Sequence, residues 1–392
     1  MTYADRWLLP EGVTEILPGE AEYVEGLRHS LLGLYRNWGY DLVIPPLMEY
    51  TQSLFIGLGQ DTEINTFKVT DQLTGRLMGI RADITPQAAR IDAHSYRRES
   101  VTRLCYAGHV LHTRAKNQLD SRTPIQVGVE LFGESGLEAD IEVISLLLET
   151  LNAAGVEASI DLGHVGIYRA LAEEAGLSKA QELAYFNLLQ HKAAAEIEVW
   201  VQQNITSEAV AQWFLALPQM AGGADMLAQA QETFAEGPGE LLAALDELQA
   251  LADVMGTRYP NAHLYFDLGE VRGYHYHTGL VFAAFAPGEG SAIANGGRYD
   301  NAGDVFGRGR AATGFNSNLM ALARASQKAK IVDAGIYAAP TEDSAQWQAV
   351  QALRAAGERV ICGLSDKALD RSELNCDRQL VKDGTDYVVK PW

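Results

Sequence analysis

Apolar residues recur along the chain at spacings that predict both helices and strands. Over residues 20–39 they return every three or four positions, which is typical of an amphipathic helix, and Gly39 is suited to end it. These positions are Tyr23, Leu27, Leu31, Leu34 and Tyr35. The same period over residues 138–153 predicts a second long helix.

Short runs of β-branched and aromatic residues predict a set of strands. The first, residues 41–44, is stopped by Pro45 and Pro46. The others are residues 104–111, 126–133, 159–162, 262–266 and 280–285. Because hairpin-like and irregular connections join them, rather than regular crossover helices, the sequence favours an α+β fold over a doubly wound parallel sheet. We expect an antiparallel sheet flanked by helices.

Two regions depart from this core pattern. Residues 167–257 are rich in Ala, Leu, Gln and Glu, and predict a helical insertion within a core domain of residues 1–325. Further on, strand and helix patterns alternate and predict a small C-terminal α/β domain of residues 330–392. Its predicted elements are a strand at 331–338, a helix at 344–356, a strand at 359–363, a partly helical segment at 367–381 and a strand at 386–390.

Composition narrows the class of protein. No apolar run reaches the roughly 18–20 residues that a membrane helix needs, and residues 1–10 lack the pattern of a secretory signal. The three cysteines, Cys105, Cys362 and Cys376, cannot all pair and show no C-x-x-C spacing, so we expect neither a disulfide framework nor a zinc knuckle. We therefore expect a cytoplasmic protein without a membrane partner.

The chain is strongly acidic, with 31 Lys and Arg against 51 Asp and Glu and a formal net charge of −20. Such a field repels a polyanion such as tRNA unless a basic patch is concentrated locally. Two modest basic clusters occur without forming a stripe, at Arg97, Arg98 and Arg103 and at Arg114, Lys116 and Arg122. We expect no nucleic-acid partner, although solubility alone also explains the charge.

Two segments place polar side chains where a small ligand can bind. Asp83 and Thr85 precede an apolar helical run, and both are suitable acceptors for an ammonium group, although either can simply cap that helix. In a predicted strand, Gln126 and Glu130 share a face, and Gly128 leaves room between them. A half-exposed strand with a solvated polar face is the alternative.

Two later segments carry further candidate groups. Arg272 precedes a run of alternating tyrosines and histidines, and its guanidinium suits a carboxylate; a plain strand with packed rings is the alternative. His275 and His277 have a spacing that a metal pair can use, but nothing nearby completes a tetrahedral set, so we expect no metal and no cofactor. Residues 295–300 contain paired glycines, for which a plain turn is the default interpretation.

In this order the motifs resemble those of the histidyl-tRNA synthetase family. The matching patterns are Arg-x-Asp-x-Thr at 81–85, Gln-x-Gly-x-Glu-x-Phe-Gly at 126–133, Arg-Gly-x-x-Tyr-x-Thr-Gly at 272–279 and Gly-Gly-Arg-Tyr-Asp at 296–300. The resemblance covers roughly residues 8–325 and implies a class II synthetase sheet. It also implies a homodimer formed through the family's motif 1, which here spans residues 38–50.

Three positions depart from what that family needs for ATP chemistry. His112 and Arg114 stand where its motif 2 has an arginine and a glutamate, and Ala321 stands where its motif 3 has an arginine. Adenylation gathers negative charge at the phosphates in the transition state. The loss of two arginines there implies that this chain forms no adenylate, and its short C-terminal domain implies no tRNA recognition.

The resemblance also implies that this chain keeps the amino-acid-binding pocket of the family. The implied histidine-binding residues are Asp83, Thr85, Gln126, Glu130, Arg272, Tyr276 and Tyr299. The first three would hold the ammonium, Arg272 the carboxylate, and Glu130 and Tyr299 would lie near the imidazole. The family pairs two tyrosines where this chain has Tyr276 and His277.

A chain with this pocket but without ATP and tRNA sites resembles the regulatory subunits of ATP phosphoribosyltransferase, the first enzyme of histidine biosynthesis. That resemblance implies a non-catalytic subunit that activates a short-form catalytic subunit within a hetero-octamer. It also implies feedback inhibition by L-histidine, which requires unequal binding to two states of the complex. An active histidyl-tRNA synthetase and a free-standing amino-acid-binding module are the alternatives.

Overall fold

The computed structural model describes residues 7–55, 60–115, 120–274, 276–328, 334–364 and 371–392. These residues fall into two compact units. The larger unit comprises the described residues of Met1–Leu17 and Val24–Lys328, and the smaller unit comprises those of Pro18–Tyr23 and Ala329–Trp392.

The described part of the larger unit contains a nine-stranded sheet and a three-stranded sheet. The strands are β1 (Asp41–Leu42), β2 (Met48–Tyr50), β3 (Phe67–Thr70), β4 (Leu77–Ile80), β5 (Thr102–His109), β6 (Ile125–Phe132), β7 (Ser159–His164), β8 (Ala221–Gly222), β9 (His263–Asp267), β10 (Leu280–Phe285), β11 (Ala294–Arg298) and β12 (Ala312–Asn318). The large sheet has the order β1-β5-β6-β12-β11-β10-β7-β9-β8. Its pairs are antiparallel except β1 with β5 and β7 with β9. The predicted α+β fold with an antiparallel core sheet is confirmed.

Helices flank this sheet. They are α1 (Glu20–Asn37), α2 (Thr51–Leu54), α3 (Gln60–Asn65), α4 (Thr85–Arg90), α5 (Leu137–Ala154), α6 (Val165–Glu174), α7 (Lys179–Gln190), α8 (Ala194–Asn204), α9 (Glu208–Ala216), α10 (Asp225–Thr233), α11 (Gly239–Arg258) and α12 (Leu319–Ala325). Helices α6 to α11 follow one another between β7 and β9, where the helical insertion was expected. Among the described residues, no helix has the length and apolar character that crossing a membrane requires.

Helix α1 forms where the apolar spacing predicts it. Val24, Leu27, Leu31 and Tyr35 are buried along one face. The helix ends two residues before Gly39, which has a φ of +86°. Glycine adopts this left-handed conformation without the steric cost that a side chain would add, so the predicted end of the helix is confirmed.

Strand β6 lies between β5 and β12 near the middle of the large sheet. All eight of its residues are buried. The alternative of a strand with a solvated polar face is therefore wrong, and any polar side chain on β6 must find a partner inside the protein.

The structure corrects the sequence interpretation in several places. The strand predicted at 41–44 stops at Leu42, and the three-stranded sheet β2-β4-β3 was not predicted, because its short strands are largely exposed and lack an apolar run. The paired glycines expected in a turn lie in β11 instead. A Cβ on Gly296 would collide with the Phe282 ring and the Gly314 carbonyl, so here glycine permits close strand packing rather than a chain reversal.

The smaller unit contains a four-stranded sheet of order β14-β13-β15-β16 in the part that the structure describes. Its elements are β13 (Gly335–Ala338), α13 (Ser344–Ala355), β14 (Val360–Cys362), α14 (Arg371–Leu374), β15 (Cys376–Asp383) and β16 (Asp386–Pro391). Its core is formed by Ile336, Ala338, Val350, Val360 and Leu380. The segment predicted as partly helical is mostly the strand β15. Residues 331–333 of the first predicted strand and 367–370 of that segment lie outside the described residues.

Candidate functional site

A cavity of about 320 Å³ opens on one face of the large sheet. Six of the seven predicted histidine-binding residues line it: Asp83, Thr85, Glu130, Arg272, Tyr276 and Tyr299. The seventh, Gln126, lines a smaller cavity that shares part of this lining. Four segments that lie far apart in the sequence are thus brought to one concave site, as small-molecule sites require.

Asp83 lies in the connection between β4 and α4. Its Oδ1 accepts hydrogen bonds of 2.9 Å from the backbone N–H of Thr85 and from Nε2 of Gln126. The Oε1 of Gln126 in turn accepts from the backbone N–H of Ile84 at 2.8 Å. Oδ1 therefore forms a local turn before α4, whose N-cap residue is Ile84 and has no side-chain cap, so the capping interpretation of Asp83 and Thr85 is wrong. Gln126 fixes the carboxylate. Oδ2 accepts no hydrogen bond from the residues that the structure describes, and is suited to a ligand.

The carboxyl group of Glu130, which is only 1% exposed, lies deep in the cavity. Its Oε1 accepts a hydrogen bond of 2.9 Å from the Tyr106 hydroxyl, and its Oε2 accepts one from the Tyr299 hydroxyl. Burial raises the pKa of Glu130 to about 8, although the hydrogen bonds from Tyr299, Thr85 and Tyr106 act in the opposite direction. A carboxyl group in this environment gains from a partner that is cationic or that shares its proton.

The room beside Gly128 is filled by Tyr106. Tyr106 lies directly opposite Gly128 in the β5–β6 register, and a Cβ on Gly128 would lie 2.8 Å from the Tyr106 hydroxyl. The expectation that a ligand would use this space is wrong. The glycine instead allows Tyr106 to reach Glu130. Tyr106 was not predicted, because its position opposite Gly128 depends on the β5–β6 register.

Two stacked rings form another wall of the cavity. Tyr276 packs on Tyr299 with ring centroids 5.1 Å apart. The Tyr276 hydroxyl is buried and has no hydrogen-bond partner among the described residues. A buried hydroxyl without a partner is rare in native proteins and marks a position where a bound ligand can supply one.

His277, which replaces a family tyrosine, also lines the cavity. Its Nδ1 donates to the Arg298 carbonyl at 3.2 Å. Burial lowers the pKa of His277 to about 4, so the ring is neutral at physiological pH and Nε2 is an acceptor. Its neighbour His275 lies outside the described residues. Among the described residues, no group of three or more His, Cys, Asp or Glu is placed to hold a metal.

Arg272 lies at the mouth of the cavity in a turn, so the alternative of a plain strand is wrong here. Its Nη2 lies 2.7 Å from Oε2 of Glu270, whose Oε1 accepts from the Arg272 backbone N–H at 2.6 Å. Asp161 also lines the mouth, and burial raises the pKa of its carboxyl group. A ligand carboxylate must therefore share Arg272 with Glu270. Glu270 and Asp161 were not predicted, because single acidic residues show no characteristic spacing in the sequence.

The charges of the cavity suit an amino acid with a basic side chain. Four lining residues are acidic and one is an arginine: Asp83, Glu130, Asp161, Glu270 and Arg272. Acidic groups attract an ammonium group and a protonated or N–H-donating ring, and the arginine attracts a carboxylate. The site is thus equipped to bind a small zwitterion with additional donor groups.

The smaller cavity has a volume of about 120 Å³. His112 and Ala321, which stand where the synthetase family has arginines, both line it. Its described lining residues include Asp83 and Asp120 but no lysine or arginine. The third departure, Arg114, is exposed and is not among them. Such a lining disfavours a triphosphate, because its fixed charges have the same sign as the ligand.

Two family models and several known proteins match this chain. Residues 12–322 match the model described as histidyl-tRNA synthetase. Residues 333–390 match the model described as the C-terminal domain of the ATP phosphoribosyltransferase subunit HisZ. A protein from Saccharophagus degradans named ATP phosphoribosyltransferase regulatory subunit is 57% identical over 392 residues, covering 100% of both chains.

Two solved structures show similar folds. A protein from Bacillus halodurans, described as an ATP phosphoribosyltransferase regulatory subunit/histidyl-tRNA synthetase, superposes with a TM-score of 0.82 at 25% identity, over 94% of this chain and 95% of that one. A chain of the ATP phosphoribosyl transferase (HisG:HisZ) complex from Thermotoga maritima superposes with a TM-score of 0.58 at 19% identity. The latter match covers 74% of this chain and 96% of that chain.

Proposed function

The chain belongs to the family of ATP phosphoribosyltransferase regulatory subunits, and we propose that it senses L-histidine through the larger cavity and transmits this signal to a catalytic partner. The observation that carries the proposal is the match between the cavity and each part of histidine. Asp83 Oδ2 is available to the ammonium, Arg272 to the carboxylate, and Glu130 to the ring. The buried Tyr276 hydroxyl supplies a further group that needs a partner.

We propose that the histidine-binding residues are Asp83, Thr85, Gln126, Glu130, Arg272, Tyr276 and Tyr299. Gln126 acts from behind by fixing Asp83, because its side chain bonds Asp83 and the Ile84 backbone. The other six contact the ligand or shape its cavity.

The chain itself is proposed to be non-catalytic. The smaller cavity lacks lysine and arginine among its described lining residues and contains acidic side chains, so the charge that adenylation develops on phosphates has no cationic counterpart there. The net charge of −20 likewise disfavours the binding of tRNA, which is a polyanion. We therefore propose neither a nucleic-acid nor a membrane partner, and a cytoplasmic location.

The proposed partner is the short-form ATP phosphoribosyltransferase catalytic subunit, which this chain activates as a homodimer within a hetero-octamer. Residues 1–325 serve as the histidine-sensing core, and residues 330–392 as a second domain. Linkage gives the regulatory logic: histidine inhibits only if it binds the less active state of the complex more tightly than the active state.

Calorimetry with L-histidine, followed by inhibition curves of the assembled complex, tests this function. Removing either side chain leaves a polar group of the bound ligand without its partner. Glu130→Ala and Arg272→Ala should each weaken histidine binding by on the order of 2–4 kcal/mol, which is roughly thirty- to a thousandfold. Activation of the catalytic subunit should persist, because it depends on the subunit interface.

Arg258→Ala is a matched control, because Arg258 is exposed on α11 and does not line this cavity. It should bind histidine as the unaltered chain does. Full histidine sensitivity of the complex with Glu130→Ala or Arg272→Ala would place the regulatory site elsewhere.

A further inference from the structure

The described residues of the segment 271–277 include four that line the larger cavity, Arg272, Gly273, Tyr276 and His277. The segment is folded back on itself. The backbone N–H groups of Tyr276 and His277 both donate to the Gly273 carbonyl at 2.8 Å. The position of this turn therefore sets where a large part of the cavity wall stands.

Arg169 holds the turn from behind. It lies on α6, the first helix of the inserted segment, and its Nη2 donates to the carbonyls of Tyr274 and His277, each at 2.7 Å. The two carbonyls lie on either side of Tyr276. Its guanidinium also stands over the Tyr274 ring, 4.9 Å from the centroid. Arg169 does not line the cavity, so any effect on a ligand there is indirect.

Tyr274 joins the turn to a second helix. Its ring packs against Tyr168 of α6 and Phe186 of α7, with centroid distances of 5.1 and 5.6 Å. Its hydroxyl donates to the carboxylate of Glu182 on α7. The back of this turn is thus attached to the inserted helices by two hydrogen bonds from the Arg169 guanidinium, by aromatic contacts and by a hydrogen bond to a carboxylate.

We propose that Arg169 is a positioning residue of the ligand site, and that it fixes the turn carrying Arg272, Tyr276 and His277 to the inserted helices α6 and α7. The inference rests on the proposed function in that L-histidine is the ligand. Hydrogen bonds to a charged donor are stronger than neutral ones, and one guanidinium that holds two carbonyls restricts both their spacing and their orientation. Without Arg169 the turn samples more conformations. A ligand must then restrict the turn on binding, and this loss of conformational freedom weakens its affinity.

Three substitutions test the proposal by calorimetry with L-histidine. Arg169→Met removes the donors and keeps an unbranched side chain, and should weaken binding about ten- to a hundredfold. Arg169→Lys keeps a cationic donor and should recover most of that loss. Arg258→Met, at an exposed arginine of α11, should leave binding unchanged. If Arg169→Met does not fold, Arg169→Gln, which keeps one donor amide, replaces it under the same criteria.

A double-mutant comparison separates positioning from a general structural defect. In an Arg272→Lys background, Arg169→Met should cost clearly less affinity than it does alone, because residues that act as one unit are not additive. Equal costs in both backgrounds overturn the proposal, as does unchanged histidine affinity of Arg169→Met.

Amide hydrogen exchange provides a readout that does not need histidine. The N–H groups of Tyr276 and His277 should exchange faster in Arg169→Met than in Arg169→Lys, while those of β6 keep their protection. If the unaltered chain does not bind histidine, the proposed function fails, and exchange alone decides the inference. Unchanged exchange at Tyr276 and His277 then overturns it.

Discussion

The Tyr106 hydroxyl donates a hydrogen bond of 2.9 Å to the buried carboxyl group of Glu130. The contact crosses from β5 to β6, over the position where Gly128 has no side chain. With Tyr299 on its other oxygen, Glu130 accepts from neutral hydroxyl donors, and no cation among the described residues forms an ion pair with it. Its proton is therefore part of the chemistry of the site.

Histidine binding should depend on pH in a way that Glu130 determines. The proposed contact between Glu130 and the imidazole of L-histidine requires one shared proton. Free imidazole gains a proton below about pH 6.5, and the empty site loses its proton above a Glu130 pKa of about 8. Affinity should thus be level between these two values and fall on both sides. His277, with a pKa of about 4, stays neutral throughout.

Calorimetry from pH 5.5 to 9 with the unaltered chain and with Glu130→Gln measures this effect. The glutamine cannot titrate, so the loss of affinity that begins near pH 8 should disappear, apart from the titration of the ligand's own ammonium group. Identical profiles for the two proteins would contradict a protonated Glu130 in the empty site.

The stability of the empty protein should respond to the same group. The pKa of Glu130 is higher in the folded chain than in the unfolded one, so between about pH 4.3 and pH 8 the folded state binds more protons. Stability then falls as pH rises, by at most about 1.4 kcal/mol per pH unit from this group. Urea unfolding at pH 5, 6.5 and 8 should show a smaller decline for Glu130→Gln than for the unaltered chain. Parallel declines would contradict the prediction.

Much of the fold followed from the sequence because long elements repeat their pattern. The predicted helix that became α1 buries the apolar face that its spacing indicated, and β10 has the predicted bounds. The paired glycines of β11 could not be placed in this way. Their location depends on the Phe282 ring of a neighbouring strand, which is a tertiary contact that no local pattern contains.

Residues of the site could be predicted only where a recognisable sequence motif contains them. The resemblance placed Asp83, Glu130 and Arg272 together, and all three line one cavity. The partners that set their chemistry, such as Tyr106 and Glu270, come from strand register and from a turn. Neither can be read from spacing along the chain.

The purified chain should show no histidine-dependent ATP–pyrophosphate exchange. The described lining of the smaller cavity contains His112 and Ala321 in place of arginines, and adds the carboxylate of Asp120. A site that must stabilise the negative charge of a pentacoordinate phosphorus transition state needs positive charge. An active histidyl-tRNA synthetase assayed in parallel is the control, and measurable exchange by this chain would restore the synthetase alternative.

The chain should form a homodimer in the absence of its partner. Residues 38–50 include apolar side chains that one protomer leaves exposed, among them Leu42 on the edge strand β1 and Ile44, which is 87% exposed. Exposed apolar groups of this kind mark interaction surfaces, and two-fold dimers are the commonest oligomers. Ile44→Asp should shift the light-scattering mass toward the monomer at micromolar concentration.

Leu183→Asp serves as the control for that experiment, because Leu183 is 50% exposed on α7 and lies outside the motif 1 segment. It should leave the mass unchanged. A monomeric unaltered chain, or equal effects of the two substitutions, would show that residues 38–50 do not form a dimer interface.

Removing the Tyr276 hydroxyl should separate stability from binding. In the empty protein this hydroxyl is buried without a partner among the described residues, and a group left in that state costs about 1–3 kcal/mol. Tyr276→Phe should therefore leave the free energy of unfolding unchanged or raise it. Bound histidine would supply the missing partner, so the same substitution should weaken binding about tenfold, or about 1.4 kcal/mol.

Tyr299→Phe is the contrasting variant. The Tyr299 hydroxyl donates to Glu130, so its loss should lower the free energy of unfolding as well as the affinity for histidine. Urea unfolding without ligand and calorimetry with L-histidine measure the two quantities. A Tyr276→Phe protein that loses stability but keeps full affinity would reverse the assignment, because the hydroxyl would then serve the fold and not the ligand.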